Sequence, residues 1–355
     1  IQGFLKIEII DNQTICLIGD YTDFLTERFI EECGGFMKGI VSQTANIPAW
    51  SINMFYNTQL AEIILKYRPV IAAAYNNSEG FKLFPEATIL NSGYWVNPIG
   101  QFGVPNFKTG EEQLTRNAQV AQYAFLRLQS PLKSGTEYRL VNPLGESINF
   151  YYDEEENISG AIKVNQLGYS TGAGKKYAYL GAWLGTLGAL DFSRLDKKLF
   201  SICEKETGKT VYRGILSRRM SDPAYKTGTP FTGEDVYEIN FSNFNREGEY
   251  YVHIPTVGRS HTFAIGEDAI GEAFYVHAKG LYHKRCGIAK ESPYTEWHSG
   301  KCHLLTYRSN FPPNNRHYTI DAKRDGGFFD EEGNSVAVSH FKLIDTLQTD
   351  EVIEG

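Results

Sequence analysis

The sequence predicts a mainly β protein of 355 residues that ends in a helical segment. Three observations support this fold class. Short segments in which apolar and polar residues alternate recur along most of the chain, as in β-sandwiches. A charged stretch without periodicity, Asp153–Asn157, separates two groups of such segments. From Asp268 the spacing of the apolar residues becomes helical. We therefore predict three domains, which cover residues 1–158, 159–268 and 269–355.

The first domain is predicted to consist mostly of strands. Leu5–Ile9 alternates between apolar and polar residues, whereas Val70–Ala74 is entirely apolar and indicates a fully buried strand. Thr58–Lys66 is the segment in which we expect a helix. The other predicted strands are Ala124–Leu128 and a closing hairpin formed by Glu137–Val141 and Ile148–Tyr152.

The second domain shows the clearest alternation. In Tyr237–Phe241 the odd-numbered residues are apolar and the even-numbered ones polar, and a turn at Glu206–Lys209 separates two further strand segments. Strands that each bury one face require a second sheet, and the length of the domain fits one immunoglobulin-like sandwich. The residues expected to point into its core are Tyr237, Ile239, Phe241, Tyr250, Val252 and Phe263.

A faint sequence echo links the two β domains. Gly135–Tyr138 opens a predicted strand near the end of the first domain, and Gly248–Tyr250 does so in the second. A tyrosine after a turn at the edge of a sandwich can hydrogen-bond back to loop backbone. The echo favours tandem immunoglobulin-like β-sandwiches over one large barrel.

The composition argues against two classes of partner. Hydrophobic residues make up 42% of the chain and charged residues 22%, as in ordinary globular proteins. The formal net charge is -7 and the sequence has no run rich in Lys and Arg, so we expect no nucleic acid partner. No segment approaches about 18 uninterrupted apolar residues, so we expect no membrane span.

The order of several short motifs resembles glycoside hydrolase family 9. Val164–Tyr169, with the sequence Val-Asn-Gln-Leu-Gly-Tyr, precedes the strands of the second domain. A predicted helix then ends in Lys284–Gly287, with the sequence Lys-Arg-Cys-Gly, and Cys302-His303 follows. This order is similar to that of cellulase-type members in which an immunoglobulin-like module precedes an (α/α) barrel. The resemblance implies that residues 269–355 are the first, incomplete part of such a barrel.

Cys286, Cys302 and His303 are the candidate metal ligands. Thiolate and imidazole are the ligands that tetrahedral zinc prefers. The resemblance implies a structural zinc held by a Cys, a Cys-His pair and one further His. The fourth ligand would then be His317, His340 or a residue beyond this chain. Two alternatives stay open, a Cys286–Cys302 disulfide in an exported protein or two unrelated thiols.

No catalytic residue is assigned within the chain. Inverting glycosidases need one carboxylate that activates water and a second, protonated one that assists the leaving group. The resemblance implies a Gly-Gly-aromatic-aromatic-Asp-Ala-Gly-Asp loop, whose beginning is matched by Gly326–Asp330, but Glu331–Gly333 replaces the rest. We interpret this segment as an exposed acidic turn and expect the catalytic loop beyond Gly355.

Trp95, Trp183 and Trp297 are candidate platforms for sugar rings, although a core position is the simpler expectation for each.

By resemblance, the chain is predicted to be the N-terminal portion of a secreted cellulase-like glycoside hydrolase. The parent enzyme would hydrolyse β-1,4-glucan-type polysaccharide by inversion, and the 355 residues alone would be inactive supports. The alternative is a non-catalytic carbohydrate-binding or surface protein built of immunoglobulin-like modules. Either would act outside the cell or on its surface.

Overall fold

The computed structural model describes residues 1–42, 49–221 and 232–302, and beyond them the backbone of five short strands. The chain divides into two compact units, Ile1–Ile270 and Gly271–Gly355. The described fold is mainly β with a minority of helix, as the sequence predicts. None of the described helices combines the length and the apolar character that a membrane crossing requires.

Two antiparallel sheets form the first part of the larger unit. One sheet contains, in spatial order, β1 (Phe4–Asp11), β2 (Thr14–Asp20), β5 (Glu112–Leu128) and β4 (Ile89–Pro105). The other contains β3 (Lys82–Phe84), β6 (Thr136–Val141) and β7 (Ser147–Tyr152) in that order. Leu17, Leu126 and Leu140 belong to one buried cluster between the sheets, as expected for a sandwich. The strands predicted at Leu5–Ile9, at Ala124–Leu128 and in the closing hairpin are confirmed.

Two long helices, α1 (Thr22–Ser42) and α2 (Ala49–Tyr75), lie between β2 and β3. The predicted strand at Val70–Ala74 is wrong, because these residues belong to α2. An entirely apolar run fits a buried helix as well as a buried strand, and only its length and its neighbours distinguish the two. The helix predicted at Thr58–Lys66 is confirmed, but it is the middle of a helix of 27 residues.

Helix α1 was not predicted, although the sequence carries its signal. The buried residues Leu25, Phe29, Cys33 and Met37 recur every fourth position and form one stripe. This stripe packs with α2 and with the far part of the β4–β5 hairpin around Phe102. The first domain is therefore a sandwich with an inserted helical hairpin.

The second part of the larger unit is the predicted immunoglobulin-like sandwich. One sheet has the order β11 (Thr210–Ile215), β10 (Leu199–Glu204), β14 (Gly248–Ile254) and β15 (Gly258–Arg259), and β16 (Phe263–Ile265) also pairs with β14. The other sheet has the order β12 (Ser217–Ser221), β13 (Asp235–Asn240), β9 (Tyr177–Leu180) and β8 (Ile162–Lys163). All pairings within both sheets are antiparallel.

The core predicted from the alternation is confirmed. The six residues expected to point inward are each at most 2% exposed, namely Tyr237, Ile239, Phe241, Tyr250, Val252 and Phe263. The predicted turn between β10 and β11 is also present, with Gly208 at φ +67 and its N–H donating to the Glu204 carbonyl at 2.9 Å. Glycine adopts this left-handed backbone without a steric penalty.

The sheet β1-β2-β5-β4 is buried on both sides where it meets the immunoglobulin-like sandwich. Adjacent residues of a strand face opposite sides of a sheet. Leu17 accordingly belongs to the first core, whereas Cys16, Ile10 and Phe125 belong to the core cluster of the second sandwich. The boundary at residue 158 stays a prediction, because both domains lie within one compact unit.

The smaller unit starts with helix α3 (Gly271–Lys284), close to the helix start predicted at Asp268. A loop then leads to Cys302. Two small antiparallel sheets follow, one of β17 (Leu305–Tyr307) and β21 (Thr346–Gln348), the other of β18 (Thr319–Ile320), β19 (Phe328–Phe329) and β20 (Ser335–Val336).

Candidate functional site

The loop after α3 brings the two candidate cysteine ligands together. The N–H of Gly287, the residue after Cys286, donates to the carbonyl of Cys302 at 2.9 Å, and Gly287 has φ +79. The two thiols also share a hydrogen bond, which raises the pKa of the Cys286 thiol. Both cysteines are exposed, and neither forms a disulfide. The third predicted ligand, His303, lies outside the described residues.

Lys290 organises this loop from the inside. Its side chain is buried, and its ammonium group donates to the carbonyls of Arg285 and Ile288, just after the end of α3. The backbones of Lys290 and Ser299 exchange two hydrogen bonds of 2.8 and 3.0 Å. A cation at the carboxyl end of a helix stabilises its unpaired carbonyl groups. Lys290 thus fixes both branches of the loop that holds Cys286 and Cys302.

His283, which precedes the loop, is engaged elsewhere. Its Nε2 lies 2.9 Å from the Oγ1 of Thr295, which is buried. The His283 ring also packs on Trp297 at a centroid distance of 5.2 Å, and the Lys279 ammonium lies 5.3 Å from the Trp297 centroid. These contacts engage the His283 ring with Thr295 and Trp297.

The described part of the loop supplies two ligands of the type that zinc prefers. Two adjacent thiols that become thiolates can occupy two corners of a tetrahedral site. Within the described residues, no group of three His, Cys, Asp or Glu side chains is arranged to hold a metal ion. The residues His303, His317 and His340, from which the sequence predicts the other ligands, lie outside that part of the chain. The cysteine pair therefore fits half of the predicted site.

The tryptophans occupy different environments. Trp95 and Trp183 form an edge-to-face pair at 5.5 Å, and Trp95 also packs on Tyr123 at 4.9 Å. This cluster lies where β4, which contains Trp95, meets Trp183 of the second domain. Trp95 is 36% exposed and Trp297 is 71% exposed, so the core position expected for these two residues is wrong.

The tight approach of backbone beside this cluster explains two glycines. A Cβ atom on Gly93 would lie 1.9 Å from the carbonyl oxygen of Leu184. A Cβ atom on Gly185 would lie 2.4 Å from the carbonyl oxygen of Tyr94. Only glycine permits these two segments to come so close.

The acidic segment Gly326–Gly333 lies outside the described residues except for Phe328–Phe329, which form β19. Its interpretation as an exposed turn stays a prediction.

Comparison with known proteins supports the reading of the second sandwich. Residues 158–259 match the family model described as the cellulase N-terminal ig-like domain. The chain is 28% identical over 181 residues to an Endoglucanase D of Acetivibrio thermocellus, a match that covers 50% of this chain and 23% of that relative. A second Endoglucanase D of Acetivibrio thermocellus is 35% identical over 101 residues, which cover 28% of this chain and 15% of the relative. The chain therefore spans less than a quarter of the length of the curated relatives it matches.

Two solved structures also match part of the chain. A metagenome-derived glycoside hydrolase family 9 endoglucanase matches with 25% identity and a TM-score of 0.33, over 41% of this chain and 25% of that one. A family 9 glycoside hydrolase of Bacteroides ovatus matches with 22% identity and a TM-score of 0.31, over 43% of this chain and 25% of that one.

Proposed function

We propose that this chain is the N-terminal part of a cellulase-type enzyme of glycoside hydrolase family 9. The whole enzyme hydrolyses β-1,4-glucan-type polysaccharide. The observation that carries the proposal is the match of residues 158–259 to the cellulase N-terminal ig-like domain. The order of elements agrees with it, because α3 and the cysteine loop directly follow that domain. The enzyme acts by inversion, and it works outside the cell or on the cell surface.

The described chain contributes support rather than chemistry. Inversion requires two carboxyl groups that stand on either side of the scissile bond with room for a water molecule. The larger unit instead presents two sandwiches, and the sheet β1-β2-β5-β4 contributes residues to the buried core of each. In this proposal the larger unit acts as a support module, and the catalytic carboxylates lie outside the residues that the structure describes.

A structural zinc completes the cysteine loop in this proposal. Cys286, Cys302 and His303 hold the metal, and the sharing of a hydrogen bond by the two thiols supports their convergence. When bound, zinc supplies a closed tetrahedral crosslink without a position for substrate. The protein residues do the remaining work, because Lys290 and the Gly287–Cys302 hydrogen bond hold the loop in the required shape.

Metal analysis tests the zinc site. After dialysis we expect the chain to retain about one zinc, provided that its fourth ligand is present. Cys286→Ser and Cys302→Ser should each release it, because a serine hydroxyl is a poor zinc ligand. His298→Ala is the matched control, since His298 is an exposed imidazole of the same loop. Zinc that survives both cysteine substitutions, or is lost with His298→Ala, would contradict this assignment.

The reaction itself is tested on the complete protein. We expect it to release reducing ends from soluble β-1,4-glucan, and proton NMR of the fresh products should show the α-anomer, which inversion of a β-linkage yields. Fresh products with the β-anomer would show retention and contradict the mechanism. Complete absence of turnover on β-glucans would contradict the proposed function.

A further inference from the structure

The outer face of the sheet β3-β6-β7 has the composition of a binding surface. We call it the outer face and define it by Phe84, Glu137, Arg139, Asn149 and Tyr151, all of which are exposed. The alternate residues of the same strands, such as Leu83, Tyr138 and Leu140, are buried in the first core. The outer face is therefore a regular surface whose side chains are set by the pairing of the three strands.

The strand register fixes the arrangement of these side chains. Phe84 pairs with Arg139, Arg139 with Asn149, and Glu137 with Tyr151. Phe84 and Tyr151 thus lie two strands and two residues apart, which places their Cα atoms roughly 12 Å from each other. Two aromatic rings at this separation can stack on different sugar units of one extended chain.

A shallow depression lies beside the Phe84 ring. It has a volume of about 340 Å³ and is lined by Phe84, Pro85, Glu137, Tyr138, Arg139 and Asn149. The guanidinium carbon of Arg139 lies 5.2 Å from the centre of the Phe84 ring, and this contact holds the ring in place from one side. The rings are 41% exposed for Phe84 and 61% exposed for Tyr151.

The polar groups of the outer face suit a neutral, hydroxyl-rich ligand. Glu137 supplies acceptors, Arg139 supplies donors, and Asn149 supplies both, all directed to solvent. Arg139 and Glu137 carry opposite charges, so the five residues of the outer face have no formal net charge. Sugar rings match such a surface, since their C–H groups pack on aromatic faces while their hydroxyl groups make hydrogen bonds.

We propose that the outer face binds a β-glucan chain and so extends the contact of the parent enzyme with its polysaccharide. This inference rests on the proposed function for the choice of glucan. Phe84 and Tyr151 stack on two sugar units, and Arg139, Glu137 and Asn149 bind the hydroxyl groups between them. The surface is open and shallow, which suits binding to a polymer along its length.

Binding of the 355-residue chain to insoluble β-1,4-glucan tests this proposal, with insoluble α-1,4-glucan in parallel. We expect retention on the β-glucan only. Phe84→Ala and Tyr151→Ala should each weaken binding roughly twofold to twelvefold, since an aromatic stacking contact contributes about 0.5–1.5 kcal/mol. The double variant, Phe84→Ala with Tyr151→Ala, should no longer be retained on β-glucan. Tyr151→Phe keeps the ring and should bind more tightly than Tyr151→Ala.

Control variants separate this surface from other exposed rings. Phe274→Ala removes a ring of α3 that is 73% exposed, and it should leave binding unchanged. Trp95→Ala tests the aromatic cluster beside the second sandwich in the same way. Both outer-face variants should keep the unfolding temperature of the parent chain, because the substituted side chains are exposed.

Several outcomes would overturn the inference. In these outcomes, the chain is not retained on β-glucan, or it is retained equally on α-glucan and β-glucan. Alternatively, the double variant binds β-glucan as the parent chain does, or Trp95→Ala is the variant that loses binding. The proposed function can fail separately. If the complete protein does not hydrolyse β-glucan although this chain binds it through the outer face, the inference stands and the hydrolase assignment falls.

Discussion

Phe241→Ala is expected to destabilise the larger unit by about 3–5 kcal/mol, the usual cost of removing a buried phenyl ring. Phe241 is fully buried in the core of the immunoglobulin-like sandwich. Its ring packs edge-to-face on Tyr169 at 5.0 Å and lies 5.5 Å from Phe263. Removing the ring leaves a cavity beside Tyr169 and Phe263 that the surrounding strands cannot close without shifting.

Urea unfolding followed by tyrosine and tryptophan fluorescence measures this effect. Phe241→Leu retains most of the apolar volume and should cost clearly less than Phe241→Ala. Phe274→Ala is the matched control on the exposed helix α3 and should change the free energy of unfolding by less than about 0.5 kcal/mol. Equal costs for Phe241→Ala and Phe274→Ala would show that the sandwich core is not packed as described.

The core of the second sandwich was predictable because its strands obey a single rule. Each strand buries one face, so the apolar residues alternate, and a shift of one residue would expose all of them. The alternation in Tyr237–Phe241 therefore identified buried positions without knowledge of the partner strands. The same rule predicts that Tyr151, which follows the half-buried Phe150 in β7, points outward. The strand was predicted, but its outward side chains were not considered as a surface.

The first domain was harder to predict because its elements bury more than one face. Strand β2 is buried on both sides, so Thr14–Asp20 shows little alternation. Helix α2 packs against α1 and against β5, and its apolar run Val70–Ala74 resembles a buried strand. Helix α1 alone carried a clear four-residue stripe, from Leu25 to Met37, and weighing it would have revealed the inserted helical hairpin.

The candidate metal site was only partly predictable. Cys286 and Cys302 were identified from their residue type and from the family resemblance, and the structure brings them together. Lys290 was missed, because a lysine in a polar loop gives no signal that its side chain is buried. Its role depends on the loop just after α3, where the carbonyl groups of Arg285 and Ile288 accept hydrogen bonds from the Lys290 ammonium group. Such a contact becomes visible only when the path of the loop is known.

The docking of the two sandwiches leads to the second prediction, which concerns Asp11 at the end of β1. Asp11 is 1% exposed, and its Oδ2 accepts a hydrogen bond of 3.0 Å from Arg194 of the second domain. Its Oδ1 accepts a hydrogen bond of 2.9 Å from the N–H of Gln13 and lies 3.9 Å from Arg127. Arg194 also donates to the Oγ1 of Thr256 at 2.7 Å.

We expect Asp11→Ala to destabilise the larger unit by about 2–3 kcal/mol, because it removes two hydrogen bonds to a buried charged acceptor. The cost stays below that of a fully buried pair, since the side chains of Arg194 and Arg127 are partly exposed and can be hydrated. Glu8→Ala is the control. It breaks a Lys6–Glu8 contact of 2.6 Å on the exposed face of the same strand and should cost less than about 1 kcal/mol.

A double-mutant cycle of Asp11→Ala and Arg194→Ala distinguishes coupling between the domains from a local effect on β1. Residues in direct contact give interaction energies of about 0.5–3 kcal/mol, whereas distant residues give additive changes. We expect an interaction energy of about 1 kcal/mol or more here, measured from urea midpoints. Additive changes would show that the two domains contact each other without the Asp11–Arg194 ion pair contributing. A measurable coupling would show that the Asp11–Arg194 ion pair helps to hold the two domains together.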